Sequence, residues 1–183
     1  MRANDDDIKI FHPQKKEGTV SEFADLAAIM DEQRANGNSM KAAILGERFA
    51  SLTPEELCPG DAAKLENSEL TQLRALMVFS AQLAFHKYLP HTILSTQAVN
   101  AMYSKTEQDA PGFYSVISDG TSFSFYYLTE RKNVNVEREI GRNYAMLCDR
   151  DDDEYMINLG SRIYSETEAK VMALIEEFEF IGA

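Results

Sequence analysis

GFYSVISDGTSFSFYYLTERKNVN, residues 112–135, decides whether this chain is all helix or part sheet. It carries Phe113, Tyr114, Phe123, Phe125, Tyr126 and Tyr127, six of the chain's 18 aromatic residues. As strands, FYSVIS and TSFSFYYL flank Asp119-Gly120, a pair that suits the left-handed turn of a tight hairpin. As a helix, Phe113, Val116, Ile117, Gly120, Phe123, Tyr127 and Leu128 fall on one continuous face, with Gly120 as the small residue at a close helix crossing. The neighbourhood tips the balance. A lone hairpin among half a dozen helices would have to find its own cover, so the expectation is helix.

The flanking sequence supplies those helices. SELTQLRALMVFSAQLAFHKYLP, from Ser68 to Pro90, traces a helical stripe through Leu70, Leu73, Leu76, Met77, Ser80, Leu83 and Ala84. Its reverse side carries Val78, Phe79 and Phe85, which makes it the central helix. SEFADLAAIMDEQRANG reads as a helix capped at Ser21, with Phe23, Leu26, Ala27 and Met30 on one face and Gly37 at its end. NSMKAAILGERFASL follows with Met40, Ile44, Phe49 and Leu52 apolar. Thr53-Pro54-Glu55-Glu56 is a capping box with proline at the first helical position. HTILSTQAVNAMYSKTEQDAPG reads as a helix from about Ser95 to a stop before Pro111. Val136, Ile140, Tyr144 and Leu147 form one side of a further helix, and the last thirty residues make one long helix or two joined near Ser165. AMYSKTEQ at Ala101 echoes RIYSETEA at Arg162, a short match that either a decayed duplication or shared helix grammar would produce.

The expected fold is an all-α, multi-helix single domain over residues 19–183, behind a flexible N-terminal arm at 1–18. The alternative is α+β, with a hairpin or small meander in 112–148.

Charge and composition narrow the function classes. The 183 residues carry a net charge of −12, with acids in excess in every third of the chain. No basic stripe exists to displace phosphate counterions, so nucleic acid is not an expected partner, nor is an anionic membrane surface. Two distant cysteines, Cys58 and Cys148, without an apolar leader at the N-terminus, point to reduced thiols and a cytoplasmic setting.

Three stretches invite a chemical reading. CDRDDDEYMINLG, from Cys148 to Gly160, spaces Asp149, Asp151 and Asp153 as the first ligands of a calcium loop. Glu154 then stands where that loop needs glycine, and Gly160 where it needs its bidentate glutamate. The stretch therefore reads as the acidic start of the last helix, with Asp149, Asp151 and Asp153 only weak metal candidates and no cofactor expected. His86 and His91 are five apart and separated by Pro90, which does not suit two zinc ligands on one helix. Glu66/Glu69 and Glu22/Asp25 have the spacing of magnesium-dependent helical hydrolases, but in a chain with 30 acids they read as solvated faces. Phosphate-binding glycine loops and nucleophile elbows are absent from the sequence.

The aromatic segment provides the candidate ligand-binding residues: Tyr126 and Tyr127, with Asp119 and Arg131 as polar groups to orient a small molecule or peptide. Packing in a core or an interface is the competing role for those rings. The leading functional expectation is a non-enzymatic protein-interaction module that meets a protein partner or itself, as a homodimer, through an apolar patch drawn from Tyr114, Phe125, Tyr126 and Phe180. A small-molecule binding protein using 113–131 and a metal-dependent hydrolase are the alternatives.

Overall fold

The computed structural model describes residues 19–181, and every regular element among them is helical. Ten helices follow in order: α1 Thr19–Ala35, α2 Asn38–Ala50, α3 Pro54–Leu57, α4 Pro59–Ala62, α5 Asn67–Tyr88, α6 Thr92–Asp109, α7 Pro111–Ser118, α8 Thr121–Lys132, α9 Val136–Leu147 and α10 Glu154–Phe178. The arm expected at 1–18 lies outside the described residues, as do the side chains of Ser21 and Phe23. The chain is an all-α single domain.

The deciding stretch is helical but broken. α7 and α8 meet at Gly120, whose φ of +73° is left-handed, and a β-carbon there would meet nothing within 4 Å. Gly120 is thus a corner and not the close crossing that a continuous helix would need. The Asp-Gly signal was sound, because a left-handed glycine serves a hairpin turn and a helix corner equally well. The break also rotates the buried face: Ile117, Phe123 and Tyr126 go inside, whereas Val116 and Leu128 stay exposed.

α5 is the axis of the domain. Leu73, Ala75, Leu76, Met77, Val78, Phe79, Ala81, Ala84 and Phe85 are all buried, so the helix is covered on every side, as its apolar reverse face required. α6, α8, α9 and α10 contact it, and two intimate pairs, α2–α6 and α9–α10, complete the packing.

Glycine makes both pairs possible. A β-carbon on Gly46 of α2 would sit 2.0 Å from the Ala98 carbonyl oxygen of α6, and one on Gly141 of α9 would sit 2.2 Å from the Ile157 carbonyl oxygen of α10. These backbones touch. The close approach selects the face that carries Ala42 and Gly46, and Leu45 and Phe49 are buried on either side of it, whereas Met40 and Ile44, expected inside, remain outside.

The local signals behave as their chemistry dictates. Thr53 and Glu56 form the capping box of α3, and Glu66 with Glu69 forms another at α5. α6 begins at Thr92, before Ser95, and stops ahead of Pro111 as expected. α10 runs unbroken through Ser165. In the echoed octets, Met102 and Thr106 of α6 and Ile163 and Thr167 of α10 are buried at the same spacing, which is what two inward-facing helix stripes require.

The corner between α1 and α2 is fixed from the far end of the chain. Buried Asn38 donates to Gln33 Oε1 at 2.7 Å and to the Ile181 carbonyl at 2.9 Å, and its Oδ1 accepts from the Ile181 amide at 3.0 Å. Those bonds set the angle at which α1 stands against the domain.

Candidate functional site

The four residues of the aromatic segment occupy four different settings. Asp119 is exposed at the α7–α8 corner, where it accepts from the Thr121 hydroxyl at 2.5 Å. Tyr126 is fully buried, its ring 5.1 Å from that of Phe79. Tyr127 sits at the domain edge, and its hydroxyl accepts from Gln82 Nε2, whose amide oxygen accepts in turn from Tyr103. Arg131 is exposed near the end of α8 and makes no ion pair among the described residues. The four share no hydrogen bond.

Phe79 explains the placement of the rings. It meets Phe123 at 5.6 Å, Tyr126 at 5.1 Å and Tyr127 at 5.0 Å, so the aromatics of α8 pin that helix to α5. Tyr126 carries an anomaly, because its hydroxyl is buried without a hydrogen-bond partner. Burial, and then the neighbouring Cys148 thiol, push its phenol well above the usual range. An unpartnered buried hydroxyl costs free energy, so Tyr126→Phe is expected to raise stability by up to about 1 kcal/mol in a urea melt.

The acidic stretch resolves into a cap and a clamp. Asp153 Oδ1 accepts from the amides of Tyr155 at 2.9 Å and Met156 at 3.3 Å, closing the first turn of α10. Arg150 donates to Asp153 and, at 3.1 Å, to Glu69 of α5, which fastens the loop to the central helix. Glu69 is thereby buried and bonded, although its spacing with Glu66 read as a solvated face. Asp149 adopts a left-handed φ of +56° after α9, and Asp151 and Asp152 are exposed. Among the described residues, no three His, Cys, Asp or Glu side chains gather as metal ligands would.

The Arg150 bond and the two amides hold the Asp153 carboxyl below the usual carboxylate range. A carboxyl depressed in the folded state stabilises the fold above its unfolded value, and that contribution disappears as pH falls through the folded one. Asp153→Ala is therefore expected to lower Tm by a few degrees at neutral pH, with the gap to wild type closing in acid. Asp151→Asn should follow the wild type throughout, as differential scanning fluorimetry across pH would show.

Two surface features carry more functional content. The first is an apolar face shared by α1, α2 and α6. Leu26 and Met30 of α1 and Ala43 of α2 line a groove of about 600 Å³, whose α6 wall mixes Ile93 and Ala101 with Thr92, Thr96, Gln97, Asn100 and Ser104. Ile29, Met40 and Ile44 are exposed on the same two N-terminal helices. The signal for this face was present in ADLAAIM, Ala24–Met30, where Asp25 alone is polar. A helix so nearly apolar all round needs cover on more than one side. The patch expected from Tyr114, Phe125, Tyr126 and Phe180 is not what forms, since Tyr126 is in the core and Tyr114 and Phe180 are half-buried.

The second is a polar cleft of about 500 Å³ among α5, α8, α9 and α10. Tyr164 and Glu168, one turn apart on α10, face it with Lys87, Glu130 and Asn133. Tyr164 donates to Glu130, and Tyr88 and Lys87 donate to Glu168 at 2.5 and 2.6 Å. Burial pushes the Glu168 carboxyl upward, but the bonds from Lys87 and Tyr88 outweigh it and hold the group below the usual carboxylate range. Nothing in the sequence foretold this cleft, because its bonded groups come from segments far apart in the chain, Glu130 and Tyr164 by 34 residues and Lys87 and Glu168 by 81.

Among the described residues, no helix is long and apolar enough to cross a membrane. Comparison with known families, with curated proteins and with solved structures found no match.

Proposed function

We propose that this protein is a non-enzymatic helical interaction module that pairs with a second copy of itself through the α1–α2–α6 face. The carrying observation is α1. Its residues 24–29 are exposed although five of the six are apolar, and the chain's own α2 and α6 cover only the opposite edge. Water is a poor neighbour for that surface, and contiguous exposed apolar area of this kind marks contact sites.

The exposed apolar stretch of α1 itself suggests a second copy as occupant. In an antiparallel pairing of two α1 helices centred on Ile29 and Met30, Ile29 of each copy meets Met30 of the other. A surface that complements itself across a twofold axis is what an isologous dimer requires. The two thiols, both free, accord with a reducing compartment such as the cytoplasm.

Electrostatics then sets the salt dependence. Two chains of net charge −12 repel, and counterions screen that repulsion more effectively than they weaken the apolar contact. Sedimentation velocity should find a dimer of the 20.6 kDa chain whose affinity rises from low to physiological salt. Leu26→Glu, at a side chain already 45 % exposed, should give a monomer with unchanged helicity, whose Tm, unlike that of the wild type, does not depend on protein concentration. A wild-type chain that sediments as a monomer at every concentration and salt would overturn the reading.

A further inference from the structure

We propose that the cleft among α5, α8, α9 and α10 binds a small aliphatic primary amine, with Glu130 taking its ammonium group. The two carboxylates of the cleft differ in their company. Glu168 is neutralised by Lys87 at 2.6 Å, whereas Glu130 accepts only the Tyr164 hydroxyl and makes no ion pair among the described residues. Lys87 is therefore already committed, and the cleft keeps one open negative charge.

The backbone adds to that polarity. α5 ends at Tyr88 and α8 at Lys132, so the negative ends of two helix dipoles lie beside the cleft. Asn133, held at a left-handed φ of +50° just past α8, lines the same space with a side chain that makes no hydrogen bond among the described residues. The Glu130 carboxylate and the Asn133 amide oxygen are acceptors in a lining that also holds His86 and the committed Lys87, and an ammonium brings three donors and no acceptor. Leu83, Ala84 and Val136 form an apolar wall suited to the methylene chain behind it. An anionic ligand of equal size would meet Glu130 and two negative helix ends, and the one ammonium of the cleft, Lys87, is already paired with Glu168.

The test is isothermal titration of the full chain with n-pentylamine and, as a charge-inverted match, with pentanoate. Two variants accompany it: Glu130→Gln, which still accepts from Tyr164, and Val136→Trp, which fills the cleft. The expected result is saturable binding of the amine alone, weakened about tenfold or more in Glu130→Gln and abolished in Val136→Trp, with Tm retained in the first variant. No saturable heat from n-pentylamine, equal binding of pentanoate, or undiminished binding by Glu130→Gln would overturn the proposal. Binding that survives the tryptophan would overturn it as well, since the cleft would then not be the site.

Discussion

Gly46→Ala is expected to destabilise the protein by about 3 kcal/mol, against the usual sign of that change in a helix. In an open helical position, replacing glycine with alanine gains up to about 1 kcal/mol because the unfolded chain loses freedom. At Gly46 the new methyl would stand 2.0 Å from the Ala98 carbonyl oxygen and 3.0 Å from the Met102 amide nitrogen. Both are backbone atoms, so no side chain can rotate away, and α2 and α6 must separate. Gly112, in the first turn of α7, is the matched control, because nothing lies within 4 Å of its β-carbon position. Urea denaturation of the two variants should move the midpoints apart, Gly46→Ala down and Gly112→Ala level or up. Equal midpoints would mean that α2 and α6 do not approach so closely.

Phe79→Ala should cost about 4 kcal/mol, in the range for a fully buried aromatic at the centre of a cluster. Its ring touches Phe123, Tyr126 and Tyr127, and these contacts hold α8 on the central helix. The loss should therefore be felt first in α8, and hydrogen exchange would show amides of Thr121–Lys132 opening before those of α10. Asp119→Asn and Arg131→Gln, on exposed side chains of the same segment, should leave the urea midpoint in place. If Phe79→Ala were tolerated, the aromatic segment would be free to serve a ligand, and its reading as packing would fail.

How much of this was legible in the sequence depends on the kind of signal. Signals that act within one turn were read in place: the Thr53/Glu56 box, Pro54 at its first position, and the acids before α10, of which Asp153 proved to be the cap. The all-round apolarity of Ser68–Tyr88 also sufficed to put α5 at the centre. Hydropathy did not choose the inner face of α2, since Met40, Ile44, Leu45 and Phe49 are all apolar. The small residues do, because Ala42 and Gly46 let the backbones touch and turn Leu45 and Phe49 inward with them. The same limit applies at Gly120, where a left-handed corner and a close crossing both call for glycine.

Long-range polar pairing was invisible for a different reason. Glu69 finds Arg150, and Glu130 finds Tyr164, across chain separations that no local pattern encodes. The exposed apolar surface of α1 was half legible. Ala24–Met30 announces a helix with too much apolar surface, but the contribution of Ile93 and Ala101 from α6 is known only from the folded chain.

The most direct test of self-association through α1 is a symmetric cross-link. In the antiparallel pairing, residue 29 of each copy lies near the twofold axis, so Ile29→Cys should form a disulfide-linked dimer under mild oxidation. The native thiols give a quiet background. Burial pushes both upward, Cys148 to about 11, which leaves little thiolate to react near neutral pH. The account predicts that most of the Ile29→Cys chain runs at twice the single-chain mass on a non-reducing gel, while the wild type and Glu47→Cys do not. An uncross-linked Ile29→Cys variant that also sediments as a monomer would contradict it.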